Sequence, residues 1–295
     1  LKERFPLHQH GLLIVAFSFS AISYSIITRG AEGFISAPVF AWAVFSNLSL
    51  FFLLRVFDEF KDAKDDAAFR SELPVPRGLI SLKELAIIAS IWLGLHFIGQ
   101  VILFPELLWM YFAVIGYMLL MRVEFFVPEW LKVRPMAYAL SHMMIIPLVD
   151  VFASGFDWQL AGADAPIGML YFFAVSFFNG MVLEIGRKIR IPDDEKEGVV
   201  SYSSQYGWQK ALGLWTGMLV ITYVLCWLAG SYAGCDWMWK ALLTVPFLIS
   251  VFIGFRFWQA QTTRRAKAIE VISGIWALCM YVLLGAGPMI VSWFA

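Results

Sequence analysis

Nine apolar runs, each long enough to cross a bilayer, occupy most of this 295-residue sequence. A spanning helix takes roughly 20 mostly apolar residues. The runs fall at about Leu12–Thr28, Phe34–Leu54, Glu84–Leu103, Leu107–Met121, Met136–Ala153, Gly168–Leu183, Ala211–Gly230, Trp239–Phe255 and Ile269–Trp293. The expected fold is all-α: a polytopic membrane protein with nine transmembrane helices in a single bundle. Composition agrees, with 60% apolar and 15% charged residues against about 25% charged in soluble domains. The longest polar stretches, Arg55–Lys83 and Arg187–Lys210, read as loops. Residues 1–295 are therefore expected to form one transmembrane domain. Pro147, Pro246 and Pro288 lie inside spans and predict kinks. Gly213 and Gly217 have the spacing of a close helix–helix contact. Cys226, Cys235 and Cys279 show no metal-binding spacing, and Cys226 and Cys279 read as core or lipid-facing residues. The charged start resembles a signal peptide without a convincing small-residue cleavage site, so retention of the first span is expected.

The charges orient the bundle. With the N-terminus placed inside, 20 of the 22 Lys and Arg residues fall on the inner side, and Arg29 and Lys240 fall outside. Basic residues accumulate in cytoplasmic loops, so the N-terminus and the long loops are expected in the cytoplasm. The acidic residues gather in the same loops, which puts the expected functional site at the cytoplasmic mouth.

Two acidic motifs stand there. The second span runs into Leu54-Arg55-Val56-Phe57-Asp58-Glu59-Phe60-Lys61-Asp62-Ala63-Lys64-Asp65-Asp66. If the helix continues beyond the membrane, Asp58, Glu59, Asp62, Asp65 and Asp66 share an arc of roughly 120°. Arg55 lies on that face one turn deeper, and Lys61 and Lys64 point elsewhere. Carboxylates crowded on one face repel one another unless a cation neutralises them. Oxygen ligands of this kind suit Mg²⁺, which binds through one or two carboxylates plus phosphate oxygens. The alternative is a solvated helix end with the lysines as neutralisers. The sixth span ends in Glu184, followed by Arg187, Lys188 and Arg190 and then by Asp193, Asp194 and Glu195. An ionisable group at the base of a span is a functional candidate; the alternative is a pair with Lys188 in an ordinary basic loop. Each motif is followed by a Gly-led segment, Gly78-Leu79-Ile80-Ser81 and Gly198-Val199-Val200-Ser201, which hints at duplication. Two carboxylate sets with bases between them make a site for a diphosphate and metal ions.

With these motifs the chain resembles the UbiA-type intramembrane prenyltransferases. Asp58-Glu59-x-x-Asp62-x-x-x-Asp66 has the spacing of that family's Asn-Asp-x-x-Asp-x-x-x-Asp, and Leu73-Pro74-Val75-Pro76-Arg77-Gly78-Leu79-Ile80 is similar to the segment that follows it. The second motif departs from the family's spaced aspartates. Arg187 and Arg190 stand where its first two acids belong, Asp194 matches the third, and Glu184 is a substitute one turn earlier.

The resemblance implies a Mg²⁺-dependent prenyltransferase that moves an isoprenoid group from an isoprenoid diphosphate to a lipophilic acceptor. Asp58, Glu59, Asp62, Asp66 and Asp194 are the expected metal ligands, with Asp58, Asp62 and Glu184 central to catalysis. Arg55, Arg70, Arg77, Arg187, Lys188 and Arg190 are the expected diphosphate-binding residues. His142 and Asp150, eight residues apart in the fifth span, are candidates for an acceptor pocket or for helix–helix hydrogen bonding. A terpene cyclase acting without an acceptor, and a non-catalytic binder or transporter of lipid diphosphates, are the alternatives. The expected partners are the lipid bilayer and the substrates, with no nucleic acid. The expected location is a bacterial inner membrane.

Overall fold

The computed structural model describes Glu3, Phe5, residues 7–195 and residues 198–294. Lys2, Arg4 and Lys196 of the basic count lie outside the described residues. The chain is 80% helix, and no strand occurs among the described residues.

The helices are α1 (Leu7–Arg29), α2 (Ala37–Lys61), α3 (Ala63–Phe69), α4 (Leu82–Leu103), α5 (Leu108–Arg122), α6 (Pro128–Lys132), α7 (Pro135–Met143), α8 (Ile145–Trp158), α9 (Met169–Gly186), α10 (Tyr202–Tyr206), α11 (Trp208–Tyr232), α12 (Trp237–Gln259), α13 (Thr263–Tyr281) and α14 (Gly287–Ser292). Among the described residues, eight helical segments are long and apolar enough to cross a membrane, with α7–α8 and α13–α14 each counted once. The ninth expected span is α5, at 15 residues. At 1.5 Å per residue it reaches about 22 Å, short of a hydrocarbon core of about 30 Å. The turn at Pro105–Leu107 precedes it.

Helix α9 sits at the centre and packs against α1, α7, α8, α11 and α13. Its buried face carries Phe172, Val175, Ser176, Asn179 and Gly180. A side chain at Gly180 would collide with Ile146, with the Met143 sulfur 3.1 Å away, so glycine lets α9 lie close against the α7–α8 junction.

The prolines act as expected at two of three places. α7 ends at Met143, four residues before Pro147, which has no N–H to bond the Met143 carbonyl. The fifth span is therefore two helices joined at Met144. Before Pro288 the chain makes a π-helical turn at Val282–Ala286. There the Ser20 hydroxyl donates to the Tyr281 carbonyl, and a Cβ at Gly285 would meet the Ser20 backbone. Pro246 stays inside a continuous α12.

The close packing expected at Gly213 and Gly217 is not found: both are exposed, with no atom of another element within 4 Å of a Cβ built there. Their spacing places them on the outward face of α11. The continuous acidic helix is also corrected. α2 stops at Lys61, and Asp62 (φ −87°, ψ 0°) bends the chain into α3. The bonds Asp62 N–H to Asp58 C=O and Asp66 N–H to Asp62 C=O carry the helical connection across the bend.

Candidate active site

The ends of α2, α7 and α9 meet at one mouth of the bundle. The first motif closes α2 and forms α3. Within it Arg55 donates to Glu59 at 2.8 Å and to Asp58 at 3.4 Å. Glu59 is buried, whereas the Asp58 and Asp62 side chains are 34% and 38% exposed. Asp66 is buried and accepts from Arg70 at 3.2 Å. Five carboxylates are thus spread over two helices and the bend between them, and three of them are paired with two arginines, Asp58 and Glu59 with Arg55 and Asp66 with Arg70.

Lys61 does not point away as the extended helix implied. Its ammonium lies 3.4 Å from Asp62 and 4.0 Å from Asp58, and it donates to the Tyr138 hydroxyl. The stem of lysine is long enough to curl back while its head stays polar. Tyr138 is on the first turns of α7, and its ring stacks on His142 with centroids 3.8 Å apart. The Lys188 ammonium lies 5.9 Å from the centroid of the same ring. Tyr138 therefore joins the first motif to the second.

The second motif closes α9. Glu184 is 3% exposed, and Arg187 and Lys188 both pair with it, the latter at 2.6 Å. Arg187 is 58% exposed on its side chain, and its charge is felt at Asp58. The loop beyond folds back: the Tyr202 N–H donates to the Lys188 carbonyl at 3.2 Å, and the Arg190 N–H to the Ser203 hydroxyl at 3.0 Å. Gly198 has φ +71°, and a Cβ there would lie 2.3 Å from the Phe69 ring. Only glycine combines that backbone with that approach, so the loop after the second motif presses directly on α3 of the first.

Between these elements lies a cavity of about 1120 Å³, with Lys61, Asp62, Asp66, Arg70, Tyr138 and Lys188 on its wall. Its rim includes Glu124, in a turn where Glu124, Phe125 and Phe126 all have positive φ, between 47° and 62°. Such a run in non-glycine residues is strained. Burial raises the Glu124 carboxyl above its ordinary range, against the pull of Lys61. Burial likewise raises the Tyr202 phenol, with Glu184 adding to the effect.

The expected site residues divide. Asp62, Asp66, Arg70 and Lys188 reach the cavity wall, and Asp58 is coupled to them through Lys61. Arg77 pairs with Glu3 at 2.9 Å and is exposed. Asp194 sits in the turn Pro192–Asp194, and the Arg190 side chain makes no ion pair among the described residues. His142 and Asp150 do not share one continuous helix face, because the break at Met144 separates them. The His142 Nδ1 donates to the Tyr138 carbonyl at 2.9 Å. Asp150 is fully buried, about 12 Å farther along the bundle. Sequence reasoning missed Lys61 and Tyr138. The one available signal for Lys61 was its place inside the motif.

Among the described residues no three acidic, His or Cys side chains converge to hold a metal by themselves. The donor set still fits one Mg²⁺ at Asp58 and Asp62. Both are oxygen ligands, both are half-buried, and both are held only by pairs of 3.4 to 4.0 Å. Glu184 does not fit, since both of its oxygens are engaged by cations.

The UbiA prenyltransferase family matches residues 16–278 of the chain. The chain belongs to that family. Solved structures repeat the fold at low identity. A UbiA homologue from Aeropyrum pernix K1 has a TM-score of 0.69 at 13% identity, over 97% of this chain and 98% of that one. A digeranylgeranylglyceryl phosphate synthase has a TM-score of 0.60 at 18% identity, covering 94% and 98%. A UbiA homologue from Archaeoglobus fulgidus bound to DMAPP and Mg²⁺ has a TM-score of 0.57 at 16% identity, covering 93% and 98%. No curated protein matches the sequence. The protein is an integral membrane member of the UbiA prenyltransferase family, and its motif-bearing mouth is the candidate active site.

Proposed function

We propose that this protein is a Mg²⁺-dependent intramembrane prenyltransferase that moves an isoprenoid group from an isoprenoid diphosphate to a lipophilic acceptor. One observation carries the reading: a cavity of about 1120 Å³ at the bundle mouth has carboxylates and fixed cations on one wall. The A. fulgidus homologue bound to DMAPP and Mg²⁺ supports the ligand class.

Asp58 and Asp62 would hold the metal, which when bound neutralises phosphate oxygens and so assists departure of the diphosphate. Arg55 keeps Asp58 and Glu59 oriented. Arg70, Arg187 and Lys188 supply positive charge where the leaving group gathers negative charge. Glu184 fixes the directions of Arg187 and Lys188. The rings of Phe60, Phe69, Tyr138 and Tyr202 border the cavity. Their faces stabilise a cation, and their bulk keeps water from an allylic carbon. The prenyl chain then lies toward the apolar interior, and the acceptor arrives from the bilayer.

The test is incubation of purified protein with prenyl diphosphates of several lengths and membrane lipids, with and without Mg²⁺. The expected result is Mg²⁺-dependent diphosphate release with a prenylated lipid. A cyclic hydrocarbon formed without acceptor would make the protein a terpene cyclase. Absence of diphosphate release with every substrate would leave a binder or transporter.

A further inference from the structure

Lys61 occupies a place that a chain relying on metal ions alone has no reason to fill with a cation. It stands between Asp58 and Asp62, the two carboxylates best placed for Mg²⁺. Its side chain is only 10% exposed, yet its head lines the cavity. An ammonium has three N–H donors. Among the described residues its one hydrogen bond goes to the Tyr138 hydroxyl. The carboxylates at 3.4 and 4.0 Å are ion-pair neighbours beyond good hydrogen-bond distance. Donor capacity therefore remains for a ligand.

The second motif points the same way. Its buried carboxylate, Glu184, already faces a cation on each oxygen, Arg187 on one and Lys188 on the other. Lys188 turns its ammonium toward the same Tyr138 ring that anchors Lys61. A second divalent ion beside Lys61 and Lys188 would meet like charge in a partly desolvated site. A diphosphate would meet two fixed cations whose positions Tyr138 and Glu184 set before the ligand arrives.

We infer that Lys61 and Lys188 take the diphosphate oxygens that a second Mg²⁺ would otherwise hold, so that the ligand binds with a single Mg²⁺ on the Asp58–Asp62 side. This rests on the diphosphate site described under the proposed function. In the reaction the C1–O bond to the diphosphate breaks and its electron pair stays on the departing oxygen. Lys61 hydrogen-bonds the diphosphate as that charge develops, and its protons stay on nitrogen. Lys61 is then a catalytic residue in its own right.

The experiment is a calorimetric titration of the purified full chain with inorganic diphosphate over a Mg²⁺ series, together with prenyl-transfer assays. The wild type is expected to bind diphosphate with one Mg²⁺. Lys61→Met, which keeps length and removes charge, is expected to weaken diphosphate binding about tenfold or more, the loss of one charge-assisted contact. Lys61→Arg is expected to return to within about threefold of wild type, since it restores the charge. Binding by Lys61→Met within about twofold of wild type, or a wild type that takes up two Mg²⁺ per diphosphate, overturns the inference. If Lys61→Met does not fold, the wild-type metal count and the Lys61→Arg affinity decide the matter by themselves. Failure of the proposed function reads differently: diphosphate binds with one Mg²⁺ and depends on Lys61, while no prenyl diphosphate is turned over.

Discussion

Asp62 ends one helix and begins the next, and two half-buried carboxylates of the first motif, Asp58 and Asp62, lie one turn apart across that bend. Asp58→Ala or Asp62→Ala should abolish diphosphate release while leaving the melting temperature near that of wild type. Both side chains are about a third exposed and make only loose pairs, and when either is removed the buried Lys61 keeps the other carboxylate and the Tyr138 hydroxyl. Turnover equal to wild type in both variants would reduce the motif to a solvated helix end. Arg187 is the corresponding residue of the second motif. It is 58% exposed and oriented by Glu184, which leaves guanidinium donors for phosphate. Arg187→Ala should lower kcat or raise KM for the prenyl diphosphate by about tenfold or more, a charged contact being worth about 1.5–3 kcal/mol. The same change at Arg190, whose side chain makes no ion pair among the described residues, tests whether it too reaches the ligand. Unaltered kinetics at both positions would assign these arginines to membrane topology alone. The acidic residues were legible in the sequence because their spacing is local. Lys61 and Tyr138 were not: their bond joins residues 77 positions apart, and no helical wheel describes a lysine that curls back across a bend.

At the scale of elements, hydropathy located the apolar segments but not their interruptions. It saw one fifth span, where Pro147 makes two helices. It counted Leu107–Met121 as a ninth span, where α5 has only 15 residues. Pairing between elements was also out of its reach, since Arg29 read simply as a stray outer base. In the structure Arg29 fastens α1 to α8, donating to Asp157 at 2.6 Å while Ser25 donates to the same carboxylate at 2.7 Å. Asp157 is 4% exposed and Arg29 is 26% exposed. Breaking a buried pair from one side strands a charge, which costs about 3–5 kcal/mol in fully buried cases, and replacing both partners with apolar groups is far milder. Arg29→Met should therefore lower the melting temperature clearly, and Arg29→Met with Asp157→Leu should recover much of the loss. A double variant as unstable as the single one would show that the pair itself, not the stranded carboxylate, sets the effect. Partial exposure of Arg29 places the expected loss below the fully buried range.

For the whole molecule the decisive sequence signal was charge, and it speaks to orientation, which packing alone does not give. The structure separates two ends. Arg29 and Asp157 meet at one, and Lys61, Tyr138 and Lys188 meet at the other. Of the 22 basic residues, 20 belong with the second end when spans alternate. Lysine and arginine in short loops resist translocation, so the end that carries them is expected to stay in the cytoplasm. That would place the diphosphate site where water-soluble prenyl diphosphates and Mg²⁺ are supplied, and leave the apolar product in the bilayer. Single cysteines at Lys132 and Asp164, both exposed positions at opposite ends, test this in a background lacking Cys226, Cys235 and Cys279. A membrane-impermeant maleimide applied to intact cells stripped of any outer layer should label Asp164→Cys and spare Lys132→Cys until the membrane is opened. Labelling of Lys132→Cys from outside would invert the bundle. The diphosphate site would then face the exterior, and the charge count would have to be explained by something other than insertion.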